Sequence, residues 1–328
     1  MLNRPTVSVV LCTYNGARFL REQLDSVVNQ TYAPCEILIH DDGSTDGTAG
    51  IVAEYAARDV RVKWIPNDGP HGINGNFFTG MRRACGNLIA LCDQDDRWMP
   101  DKLELQVAAL GDAWLCSGRS VPFSEGGYPV GTDVRYPNFH LLRVCYLGVL
   151  PGHTLLFRRE LLHYLPRGEQ APYLYDWQLQ LVAAAAGRIV YVDRVLVNWR
   201  RHAGAVTAIP PTLGGLRWAT LRYLGITLFR HARLQRAVRQ RFRFIAALLD
   251  TLPFDTEALR DGREMAALQC SRSVWGYLQF TRFCLKHRHR LFHTSTTGNA
   301  LLDWLRACYF PLSCGWYYRG VLRKTQTS

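Results

Sequence analysis

No uninterrupted apolar stretch in this sequence reaches the ~20 residues that a membrane-spanning helix requires. The longest uncharged runs, 144–157 and 203–216, fall short and contain Pro and Gly, so no span is expected. Ten cysteines are present, yet none forms a CxxC pair and none sits at zinc-ligand spacing with His. They read as small hydrophobes in a reducing cytosol. The N-terminus passes from Arg4 through the short apolar run Val7 to Cys12 into polar residues without a cleavage-site pattern, so no signal peptide is expected. Neither GxGxxG nor GxxxxGKS/T follows that run, which excludes the dinucleotide and P-loop phosphate cradles.

Acidic residues are scarce in the last third. Residues 210–328 carry 19 basic and 6 acidic side chains, whereas residues 1–209 carry 20 and 21. The basic excess points to an anionic partner for the tail, a membrane surface or nucleic acid. After Pro210–Pro211 the composition turns to arginine-rich amphipathic helix, which predicts a domain over 1–209 and a helical extension over 210–328. With 48% hydrophobic residues, the 328-residue chain has ample material for a buried core, and wholesale disorder is excluded.

Apolar, β-prone runs at 7–12, 36–40, 60–65 and 88–92 alternate with segments of helical period, predicting repeated βα units and an α/β fold with a mostly parallel sheet. Leu20, Leu24, Val27 and Val28 mark the first helix, and Pro100 sits at the expected first position of a helix carrying Leu103, Val107 and Leu110. Residues 111–150 have no clear period. Right-handed crossovers place the carboxyl ends of parallel strands along one edge, where open α/β folds bind ligands. Thr13-Tyr14-Asn15-Gly16, Asp41-Asp42-Gly43-Ser44, the glycine-rich 67–76 and Asp93-Gln94-Asp95-Asp96 all follow strand ends.

An Asp-x-Asp at a strand end suits a hard divalent cation bound to a nucleoside diphosphate, with phosphate oxygens and water completing the shell. The alternative is that Asp93, Asp95 and Asp96 cap the helix near Pro100. Asp41-Asp42 has its own alternative, an Asx turn. Two acidic clusters on one edge favour the ligand-binding reading.

In order along the chain, VSVVLCTYNG (7–16), QLDSVVNQT (23–31), ILIHDDGSTDGT (37–48), NGNF (74–77), LIALCDQDDRWMPDKLELQ (88–106), GHTLLF (152–157), YDWQL (175–179) and WRRH (199–202) resemble the glycosyltransferase family 2 enzymes of the GT-A fold. The resemblance covers about 1–205, and DQDD followed by Trp98 resembles the bacterial rhamnosyltransferase branch. It implies that Thr13, Tyr14, Asn15, Asp41 and Asp42 form the nucleobase and ribose pocket, with Asn76 also on the donor side. It further implies Asp93 and Asp95 as the metal-binding pair for Mn²⁺ or Mg²⁺, Asp95 most directly, with Asp96 as alternative. Arg201 and His202 fall near the diphosphate, and Asp176 is the general base of an inverting transfer or, alternatively, a helix cap. His153 reads as an acceptor-sugar contact or a satisfied core histidine.

The activity this implies is transfer of a sugar, rhamnose from a dTDP-linked donor or a UDP-linked hexose or N-acetylhexosamine, to a hydroxyl of a bacterial cell-surface glycan or lipid-linked glycan. Two other classes compete: a metal-dependent phosphodiesterase or nucleotidyltransferase, and a degenerate binding protein whose basic tail meets nucleic acid. A single Asp-x-Asp with a separate base speaks against the first, and intact front motifs speak against the second, so no nucleic acid is expected. In the tail Leu221, Leu224, Leu228, Leu234, Val238, Phe242, Ile245 and Leu249 recur at helical spacing among arginines, and Trp275, Tyr277, Phe280, Trp304, Trp316, Tyr317 and Tyr318 follow. These predict peripheral association with the anionic cytoplasmic face of the inner membrane; the alternative is that the stripes are packing faces.

Overall fold

All seven residues of β1 (Val7–Thr13) are buried, the mark of a strand covered on both faces. β1 pairs in parallel with β2 (Glu36–Asp41), which pairs in parallel with β3 (Val62–Pro66), while β4 (Leu88–Cys92) lies parallel on the other side of β1. The crossovers are α1 (Ala17–Val28), α2 (Thr48–Arg58) and α3 (Ile73–Arg83). Leu20, Leu24 and Val27, the stripe read from the sequence, are buried against this sheet. The computed structural model describes residues 4–127, 136–166, 174–202, 235–291 and 300–313.

Beyond β4 the sheet becomes mixed. β5 (Arg97–Trp98), α4 (Lys102–Leu110), β6 (Leu115–Phe123), α5 (Leu141–Val144), β7 (Leu156–Arg158), α6 (Tyr175–Ala185) and β8 (Ile189–Arg200) follow in the chain. The strand order is β3-β2-β1-β4-β7-β6-β8-β5. β7 runs antiparallel to β4 and β6, β8 is parallel to β6, and β5 is antiparallel to β8. The α/β class and the mostly parallel sheet agree with the sequence reading. The helix expected from Pro100 begins instead at Lys102, because the Pro100 carbonyl is turned to accept the Thr31 N–H at 3.0 Å.

The chain divides into two compact units, one of residues 1–136, 150–183 and 188–209, the other of residues 137–149, 184–187 and 210–328. The division expected at 209/210 differs from this at 137–149 and 184–187, which group with the C-terminal helices. In the second unit, helical residues 235–251 (α7) are followed by α8 (Glu257–Cys270), α9 (Val274–Lys286), α10 (Arg288–Leu291) and α11 (Ala300–Ser313). Thr256 starts α8 as an N-cap, its Oγ1 accepting the Leu259 N–H at 3.0 Å. Tyr146 packs on Phe242 and Phe310 with ring centroids 5.0 and 4.9 Å away.

The tail stripe is therefore internal where it is described: Val238, Phe242, Ile245 and Leu249 are all buried. Leu221, Leu224, Leu228, Leu234, Trp316, Tyr317 and Tyr318 lie outside the described residues. Phe242→Ala should cost about 3–5 kcal/mol in chemical denaturation of the protein in solution. A stripe that met only lipid would leave that stability unchanged.

Candidate active site at the carboxyl edge of the sheet

Strands β1 and β2 end side by side, and the side chains there first bind one another. Thr13 Oγ1 donates to Asp41 Oδ1 at 2.7 Å, and Asp41 Oδ2 accepts the backbone N–H groups of Gly43 and Ser44 at 3.2 and 2.8 Å. Asp41 thus closes the turn that Gly43 makes at φ 87. Asp42 accepts from Asn67 Nδ2, the Gly72 N–H and, across 2.9 Å, faces His71 Nδ1. Asn76 is buried, its amide donating to the carbonyls of His40 and Thr13 while its oxygen meets His40 Nδ1 at 2.6 Å. Asp41 and Asn76, expected as donor contacts, are both buried and engaged by protein partners at the place where the sequence puts the nucleoside pocket. Tyr14 and Asn15 stand exposed at its mouth.

A two-point clamp joins this pocket to the acidic turn. Gln94 Oε1 accepts the Tyr14 N–H at 2.9 Å and Gln94 Nε2 donates to the Tyr14 carbonyl at 3.1 Å. Any Cβ at Gly16 would overlap Gln94 Oε1, which explains glycine at the entry to α1.

Within the turn the carboxylates separate into two groups. Asp93, Asp96 and His153 each offer a ligand atom, all within 4.8 Å of one another. His153 Nδ1 lies 3.4 Å from Asp93 Oδ2 and 3.5 Å from Asp96 Oδ2, and its Nε2 is 2.7 Å from Ser120 Oγ. Asp95 turns the other way, its Oδ2 2.8 Å from His202 Nε2. Burial raises the pKa of Asp95, with the Asp93 charge adding to it. Burial also raises Asp96. For His153 burial opposes the imidazolium, yet Asp96 and Asp93 outweigh it and hold the pKa above the ordinary value.

Asp96 Oδ1 accepts the Arg200 N–H at 2.9 Å, while Oδ2 is buried without a hydrogen-bond partner. An orphaned carboxylate oxygen beside a second carboxylate and an imidazole fits a divalent cation. Asp93, Asp96 and His153 could therefore hold one; His153, weighed in the sequence as a satisfied core residue, is buried and also faces this group.

Arg200 is the residue sequence reasoning missed. At the end of β8 its guanidinium is buried between the rings of Phe19 and Phe123, 4.6 and 4.7 Å away, and pairs with Glu22 and Glu125. Its Nε donates to the Asp95 carbonyl at 2.8 Å. One arginine thus fixes both sides of the acidic turn, and the only sequence signal was its place in the WRRH segment. Arg201 is buried over the Trp199 ring at 4.2 Å, and His202 meets Phe19 at 4.9 Å. A cavity of about 190 Å³ opens beside Arg18, Arg200, Arg201 and His202.

Asp176 lies in the first turn of α6, which is anchored where Tyr175 stacks on Phe77 at 3.9 Å and donates its N–H to Asn74 Oδ1 at 2.9 Å. Its Oδ1 accepts the Trp177 N–H at 2.7 Å, so it satisfies one of the helix's orphan donors. Burial pushes its pKa up to about 6, with Asp93 adding and His153 opposing. Those interactions put Asp176 in the same electrostatic field as the Asp93–His153 group.

Residues 8–165 match the family described as Glycosyl transferase family 2. An uncharacterized glycosyltransferase of Haemophilus influenzae is 27% identical over 224 residues, 64% of this chain and 69% of that protein. The UDP-Glc:alpha-D-GlcNAc-diphosphoundecaprenol beta-1,3-glucosyltransferase WfgD of Escherichia coli is 36% identical over 124 residues, 38% of this chain and 46% of that protein. The chain thus spans about two thirds of the first relative and under half of the second. Among solved structures, the mannosyltransferase PcManGT from Pyrobaculum calidifontis, in complex with GDP-Man and Mn²⁺, shares the fold with a TM-score of 0.54 at 21% identity, over 99% of this chain and 88% of that one.

Titration calorimetry with Mn²⁺ should separate the two acidic groups. His153→Ala and Asp96→Asn should each weaken binding at least about 10-fold, whereas Asp95→Asn, whose side chain touches His202, should weaken it less.

Proposed function

We propose, from the match of residues 8–165 to the family Glycosyl transferase family 2, that the protein carries out inverting transfer of a sugar from a nucleoside diphosphate to a saccharide hydroxyl of a cell-surface polysaccharide precursor. The observation that carries the mechanism is Asp176: a carboxylate with its pKa raised to about 6, in the field of a group suited to a cation. Such a base is ionised at neutral pH and still accepts a proton.

Tyr14 and Asn15 receive the nucleoside at the pocket mouth, beside the loop that Asp42 braces. Arg201, His202 and the cavity they line take the diphosphate, whose charge the Arg201 guanidinium offsets. Asp93, Asp96 and His153 hold Mn²⁺ or Mg²⁺; an imidazole in the set favours Mn²⁺. When bound, the ion supplies positive charge against the departing diphosphate. Asp95 keeps His202 oriented through their 2.8 Å contact. Asp176 takes the proton from the acceptor hydroxyl as it attacks the anomeric carbon on the face opposite the leaving group.

The donor we propose is dTDP-rhamnose, supported by the Asp93-Gln94-Asp95-Asp96 turn with Trp98, and the acceptor a lipid-linked glycan at the anionic face of the inner membrane. The nucleotide sugar and Mn²⁺ bound by the fold relative, and the diphosphoundecaprenol acceptor in the E. coli relative's name, support donor and acceptor classes. No helix among the described residues is long and apolar enough to cross a membrane.

The test is nucleoside diphosphate release from dTDP-rhamnose, UDP-glucose and UDP-GlcNAc, with and without saccharide acceptor, followed by the product's anomeric configuration. Release of nucleoside monophosphate and sugar 1-phosphate in place of the diphosphate, with or without acceptor, would identify a phosphodiesterase instead. Asp176→Asn should keep donor binding and lose transfer by about 10²-fold or more. Wild-type kcat/KM should rise with pH through about 6 as Asp176 ionises. Because the folded pKa exceeds the ordinary 3.8, the ionised form opposes folding, and its cost sets in as pH climbs from 3.8 through about 6. Asp176→Asn should therefore melt higher than wild type at pH 8 and level with it near pH 3, an effect that a purely capping aspartate would not show.

A further inference from the structure

Helices α9 and α11 pack on each other, the Tyr277 hydroxyl donating to the Cys308 carbonyl at 2.7 Å. Phe280, Phe283 and Cys284 of α9, with Ala307 and Phe310 of α11, are buried. The opposite faces of such helices are ordinarily polar. Here Val274, Trp275 and Leu278 on α9, and Leu301, Trp304 and Leu305 on α11, are exposed, the two indoles at 68% and 50%. Their spacings keep each set on one side of its helix. Ser273 caps α9, its Oγ accepting the Gly276 N–H at 2.9 Å, so Val274 and Trp275 arrive in the first helical turn rather than in a loop that could fold them away.

Single exposed apolar side chains are common, but two tryptophans and four aliphatic residues on one helix pair are not. The surrounding charge selects the occupant. Arg272, Arg282 and Lys286 are exposed on the same segment, and residues 271–291 contain five Lys and Arg and no acid. A second copy of the chain would bring like charges together. Indole rings at headgroup depth flanked by cations match an anionic bilayer surface.

We infer that the α9–α11 face is a membrane-docking surface that seats Trp275 and Trp304 among the headgroups of an anionic bilayer. What the docking is for rests on the lipid-linked acceptor proposed above; that the face binds lipid rests on exposure and charge alone. It moves the membrane contact away from the α7 stripe, which is core.

The full-length protein should co-sediment with phosphatidylglycerol-containing vesicles and far less with pure phosphatidylcholine, and added salt should release it. Trp275→Ser with Trp304→Ser should lower vesicle binding about tenfold while melting temperature and transfer to a water-soluble acceptor stay unchanged. Arg272→Gln, Arg282→Gln and Lys286→Gln should each cut the preference for anionic lipid by about fivefold. Undiminished vesicle binding by the tryptophan variant would overturn this face while leaving peripheral attachment standing. Failure of the wild type to bind either vesicle would overturn both. Conversion of a wild-type oligomer to monomers by the same variant, without loss of lipid binding, would assign the face to a second copy instead. The soluble-acceptor assay reports separately on the enzymatic reading.

Discussion

Three aspartates within four residues repel one another, and a turn that buries them holds only if positive charge and donors arrive from elsewhere in the chain. Asp93, Asp95 and Asp96 receive theirs from distant segments. The last strand of the sheet supplies the Arg200 N–H and guanidinium and then His202; the short 3-10 turn Gly152–Thr154 supplies His153. Glu22 from α1 and Glu125 after β6 compensate Arg200 in turn. The mixed half of the sheet has its meaning here: β7 lies beside β4 with β8 two strands further on, and the turn before β7 and the end of β8 both meet the acids that follow β4.

The parallel half of that sheet was legible because its strands are apolar throughout and its helices repeat with a clear period. β6 was not. Its sequence, with Gly118 and Pro122 inside it, lacks alternation, and its pairing with β8 shifts register at Gly118–Arg119. The buried face of α4 was legible only in part: Leu103 and Leu110 are buried as read, but Lys102 and Gln106 share that face with them. Their polar ends meet at 2.7 Å, the amine lies 3.9 Å from the Trp98 ring, and Gln106 reaches the Thr154 carbonyl. A period count that treats Lys and Gln as surface residues cannot find a face closed by such partners.

At the site the legible part was residue type at strand ends, and the illegible part was direction. Spacing marks Asp93, Asp95 and Asp96 alike, but side-chain orientation sends one toward His202 and two toward His153. Asp41 and Asn76 carry the right chemistry for ligand contact, and spacing could not show that Asp41 also closes the turn at Gly43 and that Asn76 also bonds His40 and the Thr13 carbonyl. In the tail, period alone could not tell an inward stripe from an outward one: the α7 residues face a core, while α9 and α11 bury Phe280 and Phe310 and leave Trp275 and Trp304 in solvent.

The amide of Gln94, bonded to both the N–H and the carbonyl of Tyr14, ties the loop after β1 and the acidic turn after β4 into one mechanical element. On the proposed reading, a nucleoside that ordered the Tyr14 loop would stiffen the turn that bears the carboxylates, and a cation that ordered that turn would stiffen the loop. Linkage makes such assistance reciprocal: whatever factor one occupant gains from the other, the other gains from it. A neutral side chain with no part in the proposed chemistry would thereby set the cooperativity of assembly at this edge.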